Sequence, residues 1–153
     1  MNLTRCIKRP PTYYTLKPIY RAGSEVYAEC GPAKNKKSRK WYLDALSAKF
    51  PDGHYGIERD VSLPGLLHPA DFTFIYRHIL VRVTVYPWSI KQSTSLCKDI
   101  WRRLNAAGIA LGVILNFGGE EYEHLRVIHH ANLDRWNAER IALRARRELS
   151  NVV

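Results

Sequence analysis

The sequence predicts an α/β fold with a mixed central β-sheet flanked by helices. The first observation is the alternation of apolar and polar residues in "HILVRVTVYP", which is typical of a strand with one buried face. The second is the order of the segments: three consecutive strands, an amphipathic helix and then another apolar strand. The third is the helical spacing of apolar residues before and after this region. A strand meander joined through a crossover helix to another central strand makes a mixed sheet on which helices pack.

The N-terminal part is predicted to contain a flexible arm and two helices. Residues 1–18 hold three prolines and four basic residues without an acid, so we expect a basic extended arm. A helix over 19–30 ends at Gly31-Pro32. A second helix over 41–50 places Tyr42, Leu46 and Phe50 on one face, and the loop before it is rich in lysine.

The middle of the chain is predicted to supply the sheet. Strands are expected over 57–64 and over two parts of 70–87, which a turn near 76–78 separates. A helix over 89–108 follows, with Leu96, Ile100 and Leu104 facing the core. A buried strand over 109–119 ends in a glycine turn, and 120–130 holds a last strand at a sheet edge.

The C-terminal segment is predicted to be a basic amphipathic helix that is added to the domain. Its apolar stripe consists of Ala138, Ile141, Ala142, Ala145 and Leu149. We expect this stripe to pack on the domain while the arginines of the helix face outward. The chain is therefore divided into a basic arm (1–18), a domain (19–130) and a C-terminal helix (131–153).

Positive charge is concentrated towards the two ends of the chain. The net charge is +10; residues 1–40 carry 10 Lys and Arg against 2 acids, residues 41–130 carry 9 against 9, and residues 131–153 carry 5 against 3. Basic clusters on a neutral domain release counterions when they bind phosphates, so the pattern favours nucleic-acid binding over a role in solubility alone. The residues expected to contact nucleic acid are Arg5, Lys8, Arg9, Lys34, Lys36, Lys37, Arg39, Lys40, Arg140, Arg144 and Arg147.

Several other classes of protein are disfavoured. No apolar run reaches the roughly 20 residues that cross a bilayer, so no membrane is expected. The three cysteines have no paired spacing, and His129-His130 has no acid or thiol at ligand spacing, so we predict neither a metal site nor another cofactor. Reduced thiols indicate an intracellular compartment, and the acid-free basic start is compatible with mitochondrial targeting.

Five phrases of the sequence resemble one known family. In chain order they are "AGSEVYAECGP", "WYLDAL", "GIERDVSLPGL", "ADFTF" and "LNAAGIALGVILNFGGE". Together they resemble the GxxExxY proteins, a branch of the PD-(D/E)XK nuclease superfamily, over residues 19–128. The last phrase, with its "NFG" ending, is the most specific. The resemblance implies a restriction-endonuclease-like core.

The resemblance also implies a catalytic site, at which this chain carries mostly different residues. Such nucleases hold Mg²⁺ between an aspartate and the glutamate of a Glu-x-Lys motif on the next strand. Asp71 matches the aspartate, but Arg82-Val83-Thr84 stands at the Glu-x-Lys position. Arg39 stands where the family has a glutamate, and Asp99 stands where it has a glutamine.

A guanidinium in place of a carboxylate removes oxygen ligands and puts a permanent cation where Mg²⁺ would bind. We therefore expect no catalytic residues and no metal in the degenerate site formed by Asp71, Arg82 and Thr84, and we expect Asp71 to pair with Arg82. The favoured interpretation is an inactive nuclease fold that binds nucleic acid, RNA rather than DNA. It would act beside neighbouring proteins as a structural subunit of a ribosome-like ribonucleoprotein.

Two alternatives stay open at this point. If Glu58 on the neighbouring strand supplied a second carboxylate beside Asp71, the chain would be an active metal-dependent nuclease. The other alternative is a protein–protein scaffold that uses exposed tryptophans as anchors. We expect Trp41 and Trp101 to pack in the core instead.

Overall fold

The computed structural model describes residues 13–34, 37–51 and 54–150, and within them it places four α-helices on one five-stranded sheet. The helices are α1 (Tyr13–Cys30), α2 (Arg39–Ala48), α3 (Thr94–Ala107) and α4 (His130–Ser150). The strands are β1 (Glu58–Val61), β2 (Ala70–Phe74), β3 (Ile79–Thr84), β4 (Leu111–Asn116) and β5 (Glu123–Ile128). The predicted fold class is confirmed. None of the helices in these ranges is long and apolar enough to span a membrane.

The strands lie in the order β1-β2-β3-β4-β5, so that strands adjacent in sequence are adjacent in the sheet. β3 and β4 are parallel and are joined through α3, whereas the other pairs are antiparallel. The parallel register puts Val83 beside Leu115 and Thr84 beside Asn116. The sheet is therefore mixed, as predicted, and the last strand lies at its edge.

The two faces of the sheet are covered by different helices, and β3 contributes to both. Ile79, Val81 and Val83 pack in the core formed with α1 and α2. Leu80 packs on the other face, against Leu96, Ile100 and Leu104 of α3. Since side chains alternate along a strand, Arg82 shares the α3 side with Leu80. The alternation in "HILVRVTVYP" therefore predicted a strand correctly, but the prediction of a single buried face is wrong, because β3 lies in the middle of the sheet and α3 covers its second face.

The first helix begins at Tyr13, so the prediction of an extended arm is wrong for residues 13–18. Pro18 lies inside this helix, where it removes one backbone hydrogen bond at a cost of about 3 kcal/mol. Leu16 and Ile19 are fully buried on the sheet, and each buried side chain of this size contributes about 2 kcal/mol. The burial of Leu16 and Ile19 thus outweighs the cost of placing Pro18 inside a helix. The remainder of the arm, residues 1–12, lies outside the described residues.

The last helix is present, but it packs by a different face from the one predicted. Asn132 and Trp136 are its buried residues, and the Trp136 ring lies 5.2 Å from that of His78. At about 100° per residue, the stripe that includes Ile141 and Leu149 lies on the side of the helix opposite Trp136. Ile141 is 64% exposed and Leu149 is 70% exposed. The larger aromatic side chain therefore determines the docking face, and the stripe points away from the domain.

Candidate functional site

An open cleft with a volume of about 310 Å³ lies where β2 begins and β3 ends. These strands are antiparallel, so Asp71 near the start of β2 and Thr84 at the end of β3 lie at the same end of the hairpin. The start of α2 and the middle of α3 complete the walls. The polar lining consists of Arg39, His68, Asp71, Arg82, Thr84, Tyr86 and Arg103.

Both carboxylate oxygens of Asp71 are engaged by N–H donors. Oδ1 accepts a hydrogen bond from Nη1 of Arg39 at 2.6 Å, and Oδ2 accepts one from the backbone N–H of Val83 at 2.8 Å. Arg39 is the first residue of α2. Arg39 and Asp71 therefore form an ion pair.

Arg82 pairs with Asp99 instead of Asp71, so the predicted Asp71–Arg82 pair is wrong. Nη1 of Arg82 donates to Oδ2 of Asp99 at 2.5 Å, and Nε of Arg103 donates to the same oxygen at 3.2 Å. The reason is that each of the two side chains has a partner on a helix. Asp71 pairs with Arg39 of α2, whereas Arg82 pairs with Asp99 of α3.

Glu58 does not line the cleft. Its carboxylate forms two hydrogen bonds with Arg77, at 3.1 and 3.0 Å, near the turn at the opposite end of the β2–β3 hairpin. Thr84 does line the cleft, but its buried hydroxyl donates to Oδ1 of Asn116 at 2.9 Å. Neither residue therefore supplies a free oxygen ligand for a metal ion beside Asp71.

The side chains present in the cleft do not fit a divalent cation. Mg²⁺ needs several oxygen ligands, whereas the two oxygens of Asp71 already accept hydrogen bonds. No group of three or more His, Cys, Asp or Glu residues in the described ranges could hold a metal ion. A guanidinium about 4 Å from Mg²⁺ would also repel it by about 8 kcal/mol at an effective dielectric constant near 20.

The same cleft is suited to an anion such as phosphate. Three guanidiniums, those of Arg39, Arg82 and Arg103, meet two carboxylates, which leaves an excess positive charge. Each guanidinium has five N–H donors, and each uses only one nitrogen in its carboxylate hydrogen bond. An adjoining pocket shares His68 and Arg103 with the cleft and adds Arg102. The free donors of four arginines therefore lie along one continuous surface.

The other predicted nucleic-acid contacts are dispersed over the surface. Lys34, Lys40, Arg144 and Arg147 are exposed, and Arg140 is half-buried on α4. Lys37 donates to the Cys30 carbonyl and lies over the Trp41 ring at 4.6 Å. Of the basic residues predicted as contacts, the structure brings Arg39 to the cleft. Four others lie outside the described residues: Arg5, Lys8, Arg9 and Lys36.

Sequence reasoning missed three residues of this surface: His68, Arg102 and Arg103. A signal existed for Arg103, because it lies one helical turn after Asp99 and next to the buried position Leu104. Charged residues that border a buried stripe face the edge of the sheet. His68 lies in a loop for which the sequence pattern gives no position.

Three of the four tryptophans are exposed. Trp41 and Trp101 are each 45% exposed, so the expectation that they lie in the core is wrong. The buried stripe is occupied by Tyr42 after Trp41 in α2 and by Ile100 before Trp101 in α3. Each tryptophan therefore lies about 100° around the helix from its buried neighbour. Trp88 is 58% exposed and stacks on Tyr86 with ring centroids 4.9 Å apart.

Comparison with known proteins adds little to this description. No protein-family model matches the chain. No curated protein matches it either. One solved structure, titled "Crystal structure of SSO0001", is 13% identical with a TM-score of 0.47 and covers 92% of this chain and 74% of that one. A likeness of this strength carries no argument about function.

Proposed function

We propose that this chain is a catalytically inactive relative of the PD-(D/E)XK nucleases that binds RNA as a structural subunit of a ribonucleoprotein assembly. The observation that carries the proposal is the composition of the cleft. Arg82 and Arg39 occupy positions at which a nuclease would keep acidic residues, and both are hydrogen-bonded to carboxylates. A cleft of this kind repels a metal ion and attracts the phosphates of a nucleic acid.

The distribution of charge supports a phosphate-binding role beyond the cleft. Lys34 and Lys40 flank the start of α2, which leads into the cleft, and Arg144 and Arg147 extend the basic surface along α4. Contacts of this kind hold a nucleic acid through its backbone and carry no sequence information directly. We therefore expect binding with little sequence preference. We also propose an intracellular, reducing setting, in keeping with the free thiols of Cys30 and Cys97, and the mitochondrion remains a candidate.

The proposal is tested by measuring RNA affinity through the fluorescence anisotropy of a labelled oligonucleotide at increasing salt. Arg103→Gln removes a cleft cation and should weaken binding about 3- to 10-fold at moderate salt. Arg77→Gln is the matched control, since it removes the same charge at the far end of the hairpin and also frees one carboxylate partner. The RNA affinity of Arg77→Gln should stay within about twofold of that of the wild-type protein. Absence of RNA binding at about 50 mM salt contradicts the proposal.

Incubation with single-stranded and branched DNA and RNA in Mg²⁺ or Mn²⁺ tests the loss of catalysis. We expect no cleavage above the background of a mock purification. Cleavage that the wild-type chain performs and that Asp71→Ala abolishes would contradict the proposal and establish a nuclease instead.

A second candidate, a protein-binding scaffold, is favoured by the exposed stripe of α4. Ala138, Ile141, Ala142, Ala145 and Leu149 face away from the domain, between arginines such as Arg144 and Arg147. The matching partner is a protein of the same assembly with an apolar groove and an acidic rim. Ile141→Gln with Leu149→Gln, which removes the apolar side chains without changing the charge of α4, should then release the chain from the assembly while the RNA affinity of the isolated protein stays the same. Retention of the double variant in the assembly argues against this function.

A further inference from the structure

The loop of residues 85–90, between β3 and α3, presents two stacked aromatic rings at the edge of the cleft. Tyr86 lines the cleft, and the Trp88 ring stacks on it with an interplanar angle of 19°. Trp88 is 58% exposed, so the large apolar ring is open to solvent. Exposing a tryptophan in this way forgoes about 2 kcal/mol or more of burial energy, and within the described residues the stack on Tyr86 leaves more than half of Trp88 uncovered.

The loop that carries the rings is fixed from below by buried polar side chains. Asn116 accepts a hydrogen bond from the Tyr86 backbone N–H at 2.9 Å and donates to the Tyr86 carbonyl at 3.0 Å. Glu123 accepts from Ser89 Oγ at 2.6 Å and from the Ile90 backbone N–H at 3.1 Å. Both anchoring residues are buried. The backbone on either side of Trp88 is therefore held in place before any ligand binds, and the stack on Tyr86 orients the ring.

The glycine turn after β4 supports the same loop. A side chain at Gly118 would lie 2.2 Å from the carbonyl carbon and oxygen of Val85, so this position must be glycine for the loop to sit where it does. The "NFGG" phrase thus positions the aromatic pair. An ordered ring binds a flat partner with little further loss of conformational entropy.

We propose that Trp88 is a stacking platform for an unpaired nucleobase whose phosphate binds in the adjoining arginine-lined cleft. Aromatic faces next to cationic grooves are how proteins hold single-stranded nucleic acid, because every base has a π-face. Tyr86 belongs to both the cleft and the stack, so base and phosphate sites are contiguous. Bases paired inside a duplex are not available for this contact. The inference rests on the proposed RNA-binding function and narrows it to single-stranded segments.

The experiment compares Trp88→Ala with Trp101→Ala, which removes another exposed tryptophan that stacks on His129. Affinities for a labelled single-stranded oligoadenylate and for a blunt RNA duplex are measured by fluorescence anisotropy. Trp88→Ala should weaken single-strand binding about 5- to 100-fold, the contribution of one stacked base, and should leave duplex binding unchanged. Trp88→Phe should recover part of the loss, and Trp101→Ala should bind like wild type. Circular dichroism and the thermal midpoint check that each variant is folded.

Three outcomes would overturn the inference. If Trp88→Ala binds the single strand as tightly as wild type does, the ring serves another partner, such as a protein. If it weakens single-strand and duplex binding equally, the effect does not come from stacking on an unpaired base. If wild-type protein binds neither RNA, the proposed function fails together with this inference.

Discussion

Asn116 links β4 to the end of β3 and to the loop at the cleft through several side-chain hydrogen bonds. Its fully buried amide accepts hydrogen bonds from the Thr84 hydroxyl and the Tyr86 backbone N–H, and it donates to the Tyr86 carbonyl. Asn116→Ala removes these partners from the half-buried Tyr86 backbone and leaves the Thr84 hydroxyl with the Leu115 carbonyl at 3.4 Å as its acceptor. Each group that stays unsatisfied costs about 1–3 kcal/mol. We expect the free energy of unfolding to fall by about 2–4 kcal/mol in urea titrations.

The control for this prediction is Asn105→Ala. Asn105 is exposed on α3, and its amide oxygen meets a single partner, Nε2 of His129 at 3.0 Å. Its loss leaves one buried ring nitrogen of His129 without this partner, so it should cost about 1–2 kcal/mol, less than Asn116→Ala. Equal destabilisation by the two substitutions would show that the Asn116 network does not stabilise the fold as described.

Asp99 provides a second prediction at the residue scale, because under the proposed function its carboxylate would compete with RNA phosphate for two arginines. Asp99→Asn removes the charge that Arg82 and Arg103 share. The proposed function then predicts RNA binding that is about 3- to 10-fold tighter at moderate salt. The protein itself should lose at most about 1 kcal/mol of stability, since these ion pairs are partly exposed.

Glu58→Gln is the control for Asp99→Asn, because it removes the same charge and frees Arg77 at the opposite end of the hairpin. If both variants tighten RNA binding equally, net charge and not the cleft determines affinity. If Asp99→Asn leaves affinity unchanged, the cleft arginines do not contact phosphate.

Among the elements, α4 is attached to the domain at a histidine, which predicts a dependence on pH. Burial lowers the pKa of His78 below its ordinary value of 6.5, and its ring lies against Trp136 of α4. The folded state then binds fewer protons than the unfolded chain. Stability from the neutral ring is full above about pH 6.5 and is lost as the pH falls through the lower folded pKa. The thermal midpoint should therefore decrease as the pH is lowered from about 7 to about 5.

His78→Gln should flatten this pH profile, whereas His68→Gln, at an exposed histidine, should keep it. Some slope should remain in His78→Gln, because burial and the neighbouring Lys91 also lower the pKa of His124. A profile that His78→Gln leaves unchanged would contradict the role given to this side chain.

The elements show what the sequence could predict and what it could not. The alternation in β3 and the helical stripe of α3 are local patterns, and the structure has both the strand and the helix. The stripe of α3 is buried as predicted, whereas β3 is buried on both faces instead of one. The start of α1 and the docking face of α4 depend on competition between distant contacts, namely Leu16 on the sheet and Trp136 on the hairpin turn. Periodicity does not rank such contacts. The pairing of Arg82 failed for a related reason, since Asp99 of α3 competes with Asp71 for this arginine, and the sequence pattern does not rank the two acids.

At the scale of the whole molecule, the net charge of +10 comes from the two terminal parts of a chain whose middle is neutral. If these parts bind RNA phosphates, the logarithm of the affinity should fall linearly with the logarithm of the salt concentration. The slope for a single strand is about −0.7 for each phosphate contact. Replacing Arg5, Lys8 and Arg9 together by glutamine should therefore make the slope shallower by about two.

The same change at Arg144, Arg146 and Arg147 removes three cations from the exposed part of α4. Comparing the two triple variants tells which end of the chain lies along the RNA. Loss of a cation that contributes only to the overall field should lower affinity at low salt with little change in slope. If neither triple variant changes the slope, RNA binding is confined to the cleft, and the basic ends serve another purpose.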